Sequence, residues 1–475
     1  MIKNLTLFLK ASIISGIFST TSTFLLTHFY TPAEYGKGML CLSYIGGLFY
    51  ICCPGMDRVF ARYFYETKYI NQTPLLLYQC LMFIGINITI VALLLFFFRE
   101  GISKMFGFSP ELTWLILIIG VIINILLNFA SLIPKMFQQG YLFSIGEIST
   151  PFLFLICIVP FMIFHEKNAL SIVTSQCIAM TTTLIILVCI YKNVWTPPKK
   201  ILSVVEITEI KRFIFYGFPF IFSSGLDWLF FNLDKFLLLR WSSYYALGIY
   251  TAAFSLSSIL ETGKSIFMSA WIPQCNKIFV ESPFRGKKIF HDTFHTILWS
   301  FTIILLLLLL LKPVLILFLG KEYYAAGSVY GWLLLGVYFF ILSEIVVAGL
   351  LKYEKTCWNI AISLLSVGIN IIACYFLIPY FGAEGAAIAN AFGFFIFFIL
   401  RCYIAFLYYP FRIIWPMFFS YVAFIIIAIC LTNKNFIYSY YCYFTFFIIY
   451  SFVLEKKRLL PILKIVKNRL ERQLA

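Results

Sequence analysis

The segment Ile303–Leu311 reads IILLLLLLL and lies within a longer, largely apolar stretch, residues 293–319. A strand of a membrane β-barrel alternates apolar and polar side chains, whereas this run is apolar throughout. The stretch exceeds the roughly 20 residues with which an α-helix crosses a bilayer core of about 30 Å. Since lipid offers the backbone no hydrogen-bond partners, such a segment must be helical. Residues 293–319 therefore predict a transmembrane α-helix.

The whole chain shares this apolar character. It has 475 residues, of which 62% are hydrophobic and 12% charged, with a mean hydropathy of +0.94. Soluble domains carry about 25% charged residues, so this composition excludes a large soluble catalytic domain. A window of about 20 residues finds about fourteen candidate spans, of which the last two, 416–432 and 436–454, are also compatible with a re-entrant pair. We therefore predict an all-α polytopic membrane protein.

The basic residues indicate how the spans are oriented. With the N-terminus in the cytoplasm, 26 of the 36 lysine and arginine residues fall in the predicted inner segments. This excess agrees with the positive-inside rule and places both termini in the cytoplasm. The net charge of +16 is thus first a signal of topology. The tail, 455–475, is a candidate basic helix at the anionic inner leaflet, or a topology anchor without a partner.

The sequence lacks the groups that membrane enzymes use. The predicted loops are short, and no DxD, HExxH or Walker motif and no Ser/His/Asp constellation stands out. The 13 cysteines lie mostly inside apolar runs and form no CxxC pair, so we expect neither a disulfide framework nor a metal site. We therefore expect a transporter that needs no cofactor, and not an enzyme.

Two parts of the chain resemble each other. The first predicted span is followed by FYTPAEYGKG (29–38), and the seventh is followed by WSSYYALGIY (241–250). Aligning Gly36 on Gly248 gives a span, a short aromatic and polar turn, a glycine and a second span in both places. Because six spans separate the copies, both halves run in the same sense, as in parallel-repeat transporters. The predicted domains are an N-terminal lobe (1–211), a C-terminal lobe (212–408), two accessory helices (409–454) and the basic tail (455–475).

Several short motifs carry a resemblance to a known family. They stand in order along residues 1 to about 410: TPAEYG (31–36), GMDRVFARYF (55–64), YGFP (216–219), DKF (234–236), LGIYTAA (247–253), AWIP (270–273) and YFGAEGAAIA (380–389). In this order they resemble the polysaccharide-transporter flippases of the multidrug/oligosaccharidyl-lipid/polysaccharide exporter superfamily, and O-antigen (Wzx-like) flippases above all.

This resemblance implies two six-helix lobes around a cationic central cavity. It also implies a cargo, an undecaprenyl-diphosphate-linked repeat unit of O-antigen or capsule, that moves from the inner to the outer leaflet of the bacterial inner membrane. A proton or sodium gradient is a possible driving force. The expected partners are this glycan, membrane lipids and glycan-assembly proteins such as a polymerase, without nucleic acid.

Charged residues inside predicted spans are candidates for the site, because each costs roughly 2.5–3.5 kcal/mol to insert. Lys264, inside the eighth predicted span, and Arg58 and Arg62, at the inner end of the second, are candidates for pairing the diphosphate, since arginine engages phosphate in bidentate fashion. Four carboxylates are candidates for ion coupling: Asp227, Asp234, Glu261 and Glu344. Asp227 and Asp234, seven residues apart, are expected on one face of the seventh span.

Each of these assignments has an alternative. Arg58 and Arg62 are equally explained as anchors that reach the headgroups. Glu261 and Lys264, three residues apart, can neutralise each other. The segment from Asp234 to Arg240 is also compatible with an outer rim. At the level of function, the alternatives are a cation-coupled multidrug exporter with the same fold and a membrane polysaccharide polymerase or ligase.

Overall fold

The computed structural model describes residues 2–66, 72–164, 167–197, 207–281, 283–352, 357–434 and 440–451. Within these ranges the chain is helical, with one short 3-10 turn and no strand. The helices are, in chain order: α1 (Ile2–Phe29), α2 (Pro32–Cys52), α3 (Met56–Tyr63), α4 (Thr73–Phe97), α5 (Arg99–Phe106), α6 (Pro110–Met136), α7 (Gly140–Phe164), α8 (Ala169–Ile190), α9 (Lys192–Trp195), α10 (Ile207–Trp241), α11 (Tyr244–Glu281), α12 (Pro283–Leu317), the 3-10 turn Lys321–Tyr323, α13 (Ala326–Lys352), α14 (Cys357–Tyr408) and α15 (Trp415–Asn433). Residues 440–451 form a last helix, α16.

Eight of the described helices are long and apolar enough to cross a membrane, or nine if the bent pair α2 and α3 counts as one span. The long helices α1, α10 and α11 carry more polar residues and fall outside this group. Counting them, counting α14 as two arms and adding the shorter α16, the described residues form fourteen helical segments. The predicted fold class is therefore confirmed. The basic tail (455–475) lies outside the described residues.

The eleventh and twelfth predicted spans are the two arms of α14. They meet at Gly382, whose backbone has φ +54° and ψ −125°, a conformation open almost only to glycine. One residue thus replaces the loop that usually joins two antiparallel helices. The motif YFGAEG (380–385), one of those behind the family resemblance, encodes this reversal of direction.

The polar segment 271–292 belongs almost wholly to two helices. Helix α11 continues to Glu281, and α12 begins at Pro283. At about 1.5 Å per residue, the 38 residues of α11 are longer than a bilayer core is thick, so its end projects beyond the membrane. A hydropathy window ends a span where polar residues begin, although a helix can continue in water.

The helices pack as two lobes with a pseudo-twofold relation. Helices α1, α2 and α4–α8 pack against one another, and α10–α15 do the same. Between the lobes, α2 packs on α11, while α1 packs on α11 and α10 packs on α2. The repeat makes α1 equivalent to α10 and α2 equivalent to α11. The contact of α1 with α11 is therefore equivalent to that of α10 with α2, and the contact of α2 with α11 is equivalent to itself. The predicted boundaries of the lobes, 1–211 and 212–408, stay a prediction.

The two repeat copies begin their second helix in the same way. The side chain of Thr31 accepts a hydrogen bond from the backbone N–H of Glu34, and Ser243 accepts one from Ala246 at 3.2 Å. Both are N-caps, which satisfy backbone donors that the first turn of a helix leaves free. We call the end of the bundle that carries these α1–α2 and α10–α11 turns the turn end.

The lobes meet at the turn end through two aligned glycines. A Cβ added at Gly36 would lie 2.8 Å from the backbone nitrogen of Gly248, and one added at Gly248 would lie 1.9 Å from the carbonyl oxygen of Pro32. Both glycines therefore allow the backbones of α2 and α11 to touch. Equivalent residues of two repeats meet only on the symmetry axis, so the pseudo-twofold axis passes between them.

Two further contacts between the lobes flank this axis. On one side, the hydroxyl of Tyr323 donates to the carbonyl of Tyr30 at 2.9 Å, and the Gly320 N–H donates to Thr27 Oγ1 at 3.3 Å. On the other side, Tyr244 donates to the carbonyl of Lys104 at 3.1 Å. Each contact joins a turn of one lobe to the segment before the fourth long helix of the other. The turn end is therefore closed across the interface.

Candidate functional site

Five charged residues of the C-terminal lobe form a cluster, which we call the charge cluster: Asp227 on α10, Glu261 and Lys264 on α11, Glu344 on α13 and Arg401 on α14. At about 1.5 Å per residue, they lie roughly 20–30 Å from the turn end along their helices. This shared depth brings them together, although up to 174 residues separate them in the chain. Four of the seven predicted site residues belong to the cluster.

Two ion pairs form inside the charge cluster. Arg401 Nη1 lies 2.6 Å from Glu344 Oε1, and the same nitrogen donates to Ser343 Oγ at 3.1 Å. Lys264 Nζ lies 3.5 Å from Glu261 Oε1. The first pair is short and largely buried, since the Arg401 side chain is 7% exposed. The second pair is looser, as expected for neighbours on one helix face.

The two cations also rest on aromatic rings. Lys264 Nζ lies 4.2 Å from the centre of the Phe340 ring, and the Arg401 guanidinium lies 4.1 Å from that of Phe397. The two rings stack on each other with centroids 6.1 Å apart. Cation–π contacts stabilise a charge away from water. The stacked rings therefore hold the two positive groups in fixed places without using up their hydrogen-bond donors.

Asp227 is the one carboxylate of the charge cluster that takes part in neither of these ion pairs. It is exposed, and among the described residues it has no hydrogen-bond or ion-pair partner. The charges of Arg401, Glu344 and Lys264 nevertheless act on it. The cluster thus holds three acidic and two basic groups, with Asp227 open to an incoming ligand.

The charge cluster reaches the interface between the lobes. Trp228, beside Asp227, packs on α2 so closely that a Cβ at Gly47 would lie 2.4 Å from its ring. On the same helix, Tyr50 lies within the electrostatic range of Asp227 and also of Asp57 and Arg58. Asp227 therefore lies close to the N-terminal lobe.

Arg58 and Arg62 lie on α3, at the end opposite the turn end. Both are exposed, and Arg58 Nε is 3.6 Å from its neighbour Asp57. Helix α3 packs on α10, where a Cβ at Gly55 would lie 2.3 Å from the Gly217 carbonyl oxygen. The two arginines therefore stand at the rim of the interface and not inside the charge cluster. This position fits both an entry site for anions and an anchor at the headgroups.

Asp234 lies in a separate, fully buried network. Its carboxylate accepts hydrogen bonds from four side chains: Tyr250 at 2.7 Å, Asn370 at 3.1 Å, Asn390 at 2.6 Å and Cys374 at 3.5 Å. The alternative that placed Asp234 and Lys235 at an outer rim is wrong, since both are buried. Arg240, at the end of α10, is exposed.

Lys235, which was not among the predicted site residues, connects the lobes near Asp234. Its Nζ donates to Ser43 Oγ on α2 and to Asn232 Oδ1, both at 2.9 Å, and lies 5.1 Å from the Phe254 ring centre. Arg401 was also missed, because it stands near the end of a predicted span and counted as a topology signal. Each is one basic residue beside an apolar run, so hydropathy alone gives no signal of its partner.

Two clefts open between the lobes. One, of about 490 Å³, runs between α1 and α11 and is mostly apolar, although hydroxyl residues such as Thr20, Ser258 and Thr262 also line it. The other, of about 400 Å³, runs between α2 and α10 and is apolar, with Trp228 across it. Helix α1 carries several hydroxyl side chains. Thr20 and Thr21 line the first cleft, while Ser22 and Thr23 are buried.

The described residues contain no group of three or more His, Cys, Asp or Glu side chains placed to hold a metal ion.

Solved structures with this two-lobe arrangement define the class of fold. "Lipid II flippase MurJ, inward closed conformation" is 12% identical over 96% of this chain and 100% of that chain, with a TM-score of 0.72. The MATE transporter VcmN of Vibrio cholerae in the bent form is 16% identical over 86% of this chain and 98% of that one, with a TM-score of 0.54. An outward-facing multidrug resistance MATE family transporter is 13% identical over 85% of this chain and 95% of that one, with a TM-score of 0.52. The chain therefore has the fold of the exporter superfamily.

The family follows from sequence. The model of the family described as "Polysaccharide biosynthesis protein" matches residues 1–279, more than half of the chain. The protein belongs to this family, and the resemblance inferred from its motifs is confirmed. No curated protein sequence matches the chain at a significant level. It is a multi-pass membrane protein, and its structural neighbours are transporters and flippases.

Proposed function

We propose that this protein is a flippase for an undecaprenyl-diphosphate-linked oligosaccharide, an O-antigen or capsule repeat unit. It moves this lipid by alternating access from the inner to the outer leaflet of the bacterial inner membrane. The observation that carries the proposal is the charge cluster, with Lys264 and Arg401 held deep in the C-terminal lobe, in a chain of the polysaccharide biosynthesis family.

The cargo sets the physical requirements. A diphosphate and a glycan must pass an apolar core of about 30 Å while the polyprenyl tail stays in lipid. A buried cation offers the diphosphate charge-assisted hydrogen bonds that replace water. Lys264 is the better donor of the two, because its 3.5 Å pair with Glu261 is looser than the 2.6 Å pair of Arg401. The cleft between α1 and α11 gives the tail a lateral path.

Orientation gives the described state a place in the cycle. If the N-terminus is cytoplasmic, the turn end faces the outside. It is closed by the Gly36–Gly248 contact and its two flanking contacts. The charge cluster then lies nearer the cytoplasmic side, where the lipid-linked unit is made, with Arg58 and Arg62 at the entrance. This arrangement suits loading from the inner leaflet.

Asp227 is the strongest candidate for coupling to a proton or sodium gradient. Glu261 and Glu344 are paired with cations, and Asp234 is enclosed by four hydrogen-bond donors. Asp227 alone among the four predicted carboxylates lies close to the lobe interface without a partner among the described residues. An anionic cargo close to Asp227 favours its neutralisation, because like charges repel. Cargo and ion then bind together.

The test of this proposal uses Lys264. In a strain whose surface glycan depends on this protein, Lys264→Ala should reduce glycan display at least about tenfold, since a hydrogen bond to a charged group contributes about 1.5–3 kcal/mol. Lys264→Arg should retain part of the display, because the charge stays. Lys287, exposed on α12 of the same lobe, provides the control: Lys287→Ala should leave display unchanged.

Lipid analysis of the same strains gives the mechanism. Undecaprenyl-linked units should accumulate on the cytoplasmic face when Lys264→Ala is the only copy. Normal glycan display by this variant, at wild-type protein abundance, would overturn the role of Lys264. If Lys264→Arg reduces glycan display as much as Lys264→Ala does, the charge of Lys264 is not what matters, and its role is in packing.

One observation favours a second candidate, a cation-coupled multidrug exporter of the same fold. The charge cluster has one more acidic than basic group, and a free carboxylate such as Asp227 can bind a cationic drug. This candidate predicts that loss of the protein lowers drug resistance and leaves surface glycan intact. The flippase proposal predicts that loss of the protein removes surface glycan and leaves drug resistance unchanged. It also predicts a polymerase and other glycan-assembly proteins as partners.

A further inference from the structure

A second polar cavity lies away from the lobe interface. It has a volume of about 420 Å³ and is enclosed by the last turns of α12, the start of α13, the end of α15 and the start of α16. Apolar side chains form one wall, among them Leu309, Pro313 and Ile316. Polar groups form the other wall, among them Ser328, Thr432 and Asn433. The cavity lies where the two accessory helices meet the C-terminal lobe, beside the direct packing of α15 on α12 and α13.

A buried lysine lines this cavity. Lys312 is 8% exposed, and its Nζ donates one hydrogen bond, to Asn433 Oδ1 at 2.7 Å. Within the described residues, Lys312 has no carboxylate within 4.0 Å. The nearest acid to act on it is Glu384, whose Oε1 accepts from Trp332 and Asn433. A lysine has three donors, so two N–H groups of Lys312 remain for a ligand.

The cost of this arrangement points to an anion. A buried charge that is not paired is expensive in a membrane protein, and such residues mark functional sites by default. Asn433 is neutral and its amide is already used, since Nδ2 donates to the Ser328 carbonyl at 3.2 Å. An anionic oxygen in the cavity would supply the missing partner of Lys312.

The position of the cavity identifies the anion as part of a lipid. Lys312 stands five residues before the end of α12, about 7–8 Å below the helix end, where lipid headgroups meet the apolar core. Tyr324 and Tyr441 line the cavity and are 45% and 49% exposed, as tyrosines at a membrane interface are. The apolar side chains of α12 offer no favourable contact to a free anion, but they can pack against the glycerol and upper acyl carbons of a lipid.

We propose that this cavity binds the headgroup of an anionic phospholipid, with its phosphate on Lys312 and its glycerol against α12. The bound lipid fills the cavity between α12, α13, α15 and α16. It thereby adds to the direct packing of α15 on α12 and α13, and stabilises the position of the accessory helices. The site is independent of the charge cluster and of the proposed cargo.

The experiment measures thermal unfolding of the purified full-length protein in a neutral detergent. Short-chain phosphatidylglycerol should raise the unfolding midpoint by about 3 °C at a hundredfold excess over its Kd, and phosphatidylcholine should not. Lys312→Met should remove this difference, and Lys312→Arg should keep it. Lys434, exposed at the end of α15, is the matched control, and Lys434→Met should behave as wild type.

Three outcomes would overturn the proposal. One is a Lys312→Met variant that keeps the full response, and another is a Lys434→Met variant that loses it equally. The third is free glycerol phosphate acting as strongly as the lipid, which would mean an adventitious anion. If Lys312→Met does not fold, native mass spectrometry of the wild type decides. One phosphatidylglycerol retained in preference to phosphatidylcholine supports the site, and equal retention of the two contradicts it.

Discussion

Arg401 holds the charge cluster together at the scale of single residues. It pairs with Glu344 at 2.6 Å, donates to Ser343 and rests on Phe397. Removal of one partner of a buried pair leaves the other charge uncompensated, which destabilises a protein by about 3–5 kcal/mol. Arg401→Gln should therefore lower the unfolding midpoint markedly.

The control for this prediction is a double-mutant cycle. Arg401→Gln combined with Glu344→Gln should unfold at a higher temperature than Arg401→Gln alone, because neither charge is then left over. Thermal unfolding of the four proteins in one detergent measures the coupling, which we expect at about 2 kcal/mol. Additive effects of the two substitutions would show that the pair contributes nothing.

The residues of the site were predicted unequally. An intramembrane charge is visible in a sequence, so Lys264, Asp227 and Glu344 could be named. Their partners could not, because contacts such as that of Arg401 with Glu344 join different helices. The seven-residue spacing of Asp227 and Asp234 placed both on one face of α10. Asp227 is nevertheless exposed and Asp234 buried, because the two residues lie about 10 Å apart along the helix and different helices pack against that face at the two positions.

At the scale of elements, Gly382 determines the shape of α14. Its φ of +54° with ψ of −125° strains any residue that has a Cβ, at about 1–3 kcal/mol. Gly382→Ala should lower the unfolding midpoint. Gly368 on the same helix has nothing within 4 Å of an added Cβ. Gly368→Ala should therefore increase the free energy of unfolding by about 1 kcal/mol, because alanine has the higher helix propensity, and so raise the midpoint.

Thermal unfolding of these two variants and the wild type checks the opposite signs. A Gly382→Ala protein as stable as Gly368→Ala would mean that α14 tolerates an ordinary backbone conformation at its bend. The sequence placed this boundary within a few residues, because hydropathy falls at YFGAEG (380–385). It did not show that the two arms join without a loop, since that depends on one backbone conformation.

At the scale of the whole molecule, the turn end must open for transport. The Gly36–Gly248 contact lies on the pseudo-twofold axis and allows no side chain. Gly248→Ala should therefore disfavour the closed state by about 1–3 kcal/mol, which changes the equilibrium constant between closed and open states by a factor of roughly 5–150. Glycan display should fall accordingly.

Gly225→Ala is the matched control, because nothing lies within 4 Å of a Cβ added there. It should display glycan at the wild-type level. Wild-type display by Gly248→Ala would mean that the turn end is not a gate. The alignment of the two glycines could be read from the repeat, but their contact could not, since a repeat shows which residues are equivalent and not where the axis lies.

Topology is the second prediction for the whole molecule. A reporter fused after Ala475 should report the cytoplasm, because an even number of spans returns the chain to the side of its N-terminus. A reporter inserted at Lys321, in the turn before α13, should report the opposite side and serves as the control. Both reporters on one side of the membrane would contradict the assignment of the turn end to the outside.

The central claim is that Lys264 carries a lipid diphosphate across the membrane. The most direct measurement reconstitutes the wild type and Lys264→Gln in liposomes with a fluorescent undecaprenyl-diphosphate-linked oligosaccharide. A membrane-impermeant quencher then follows the loss of label from the outer leaflet. We predict translocation by the wild type, at least about tenfold slower translocation by Lys264→Gln, and none of an uncharged undecaprenyl glycan. Equal rates for the two proteins, or equal transport of the uncharged lipid, would contradict the claim.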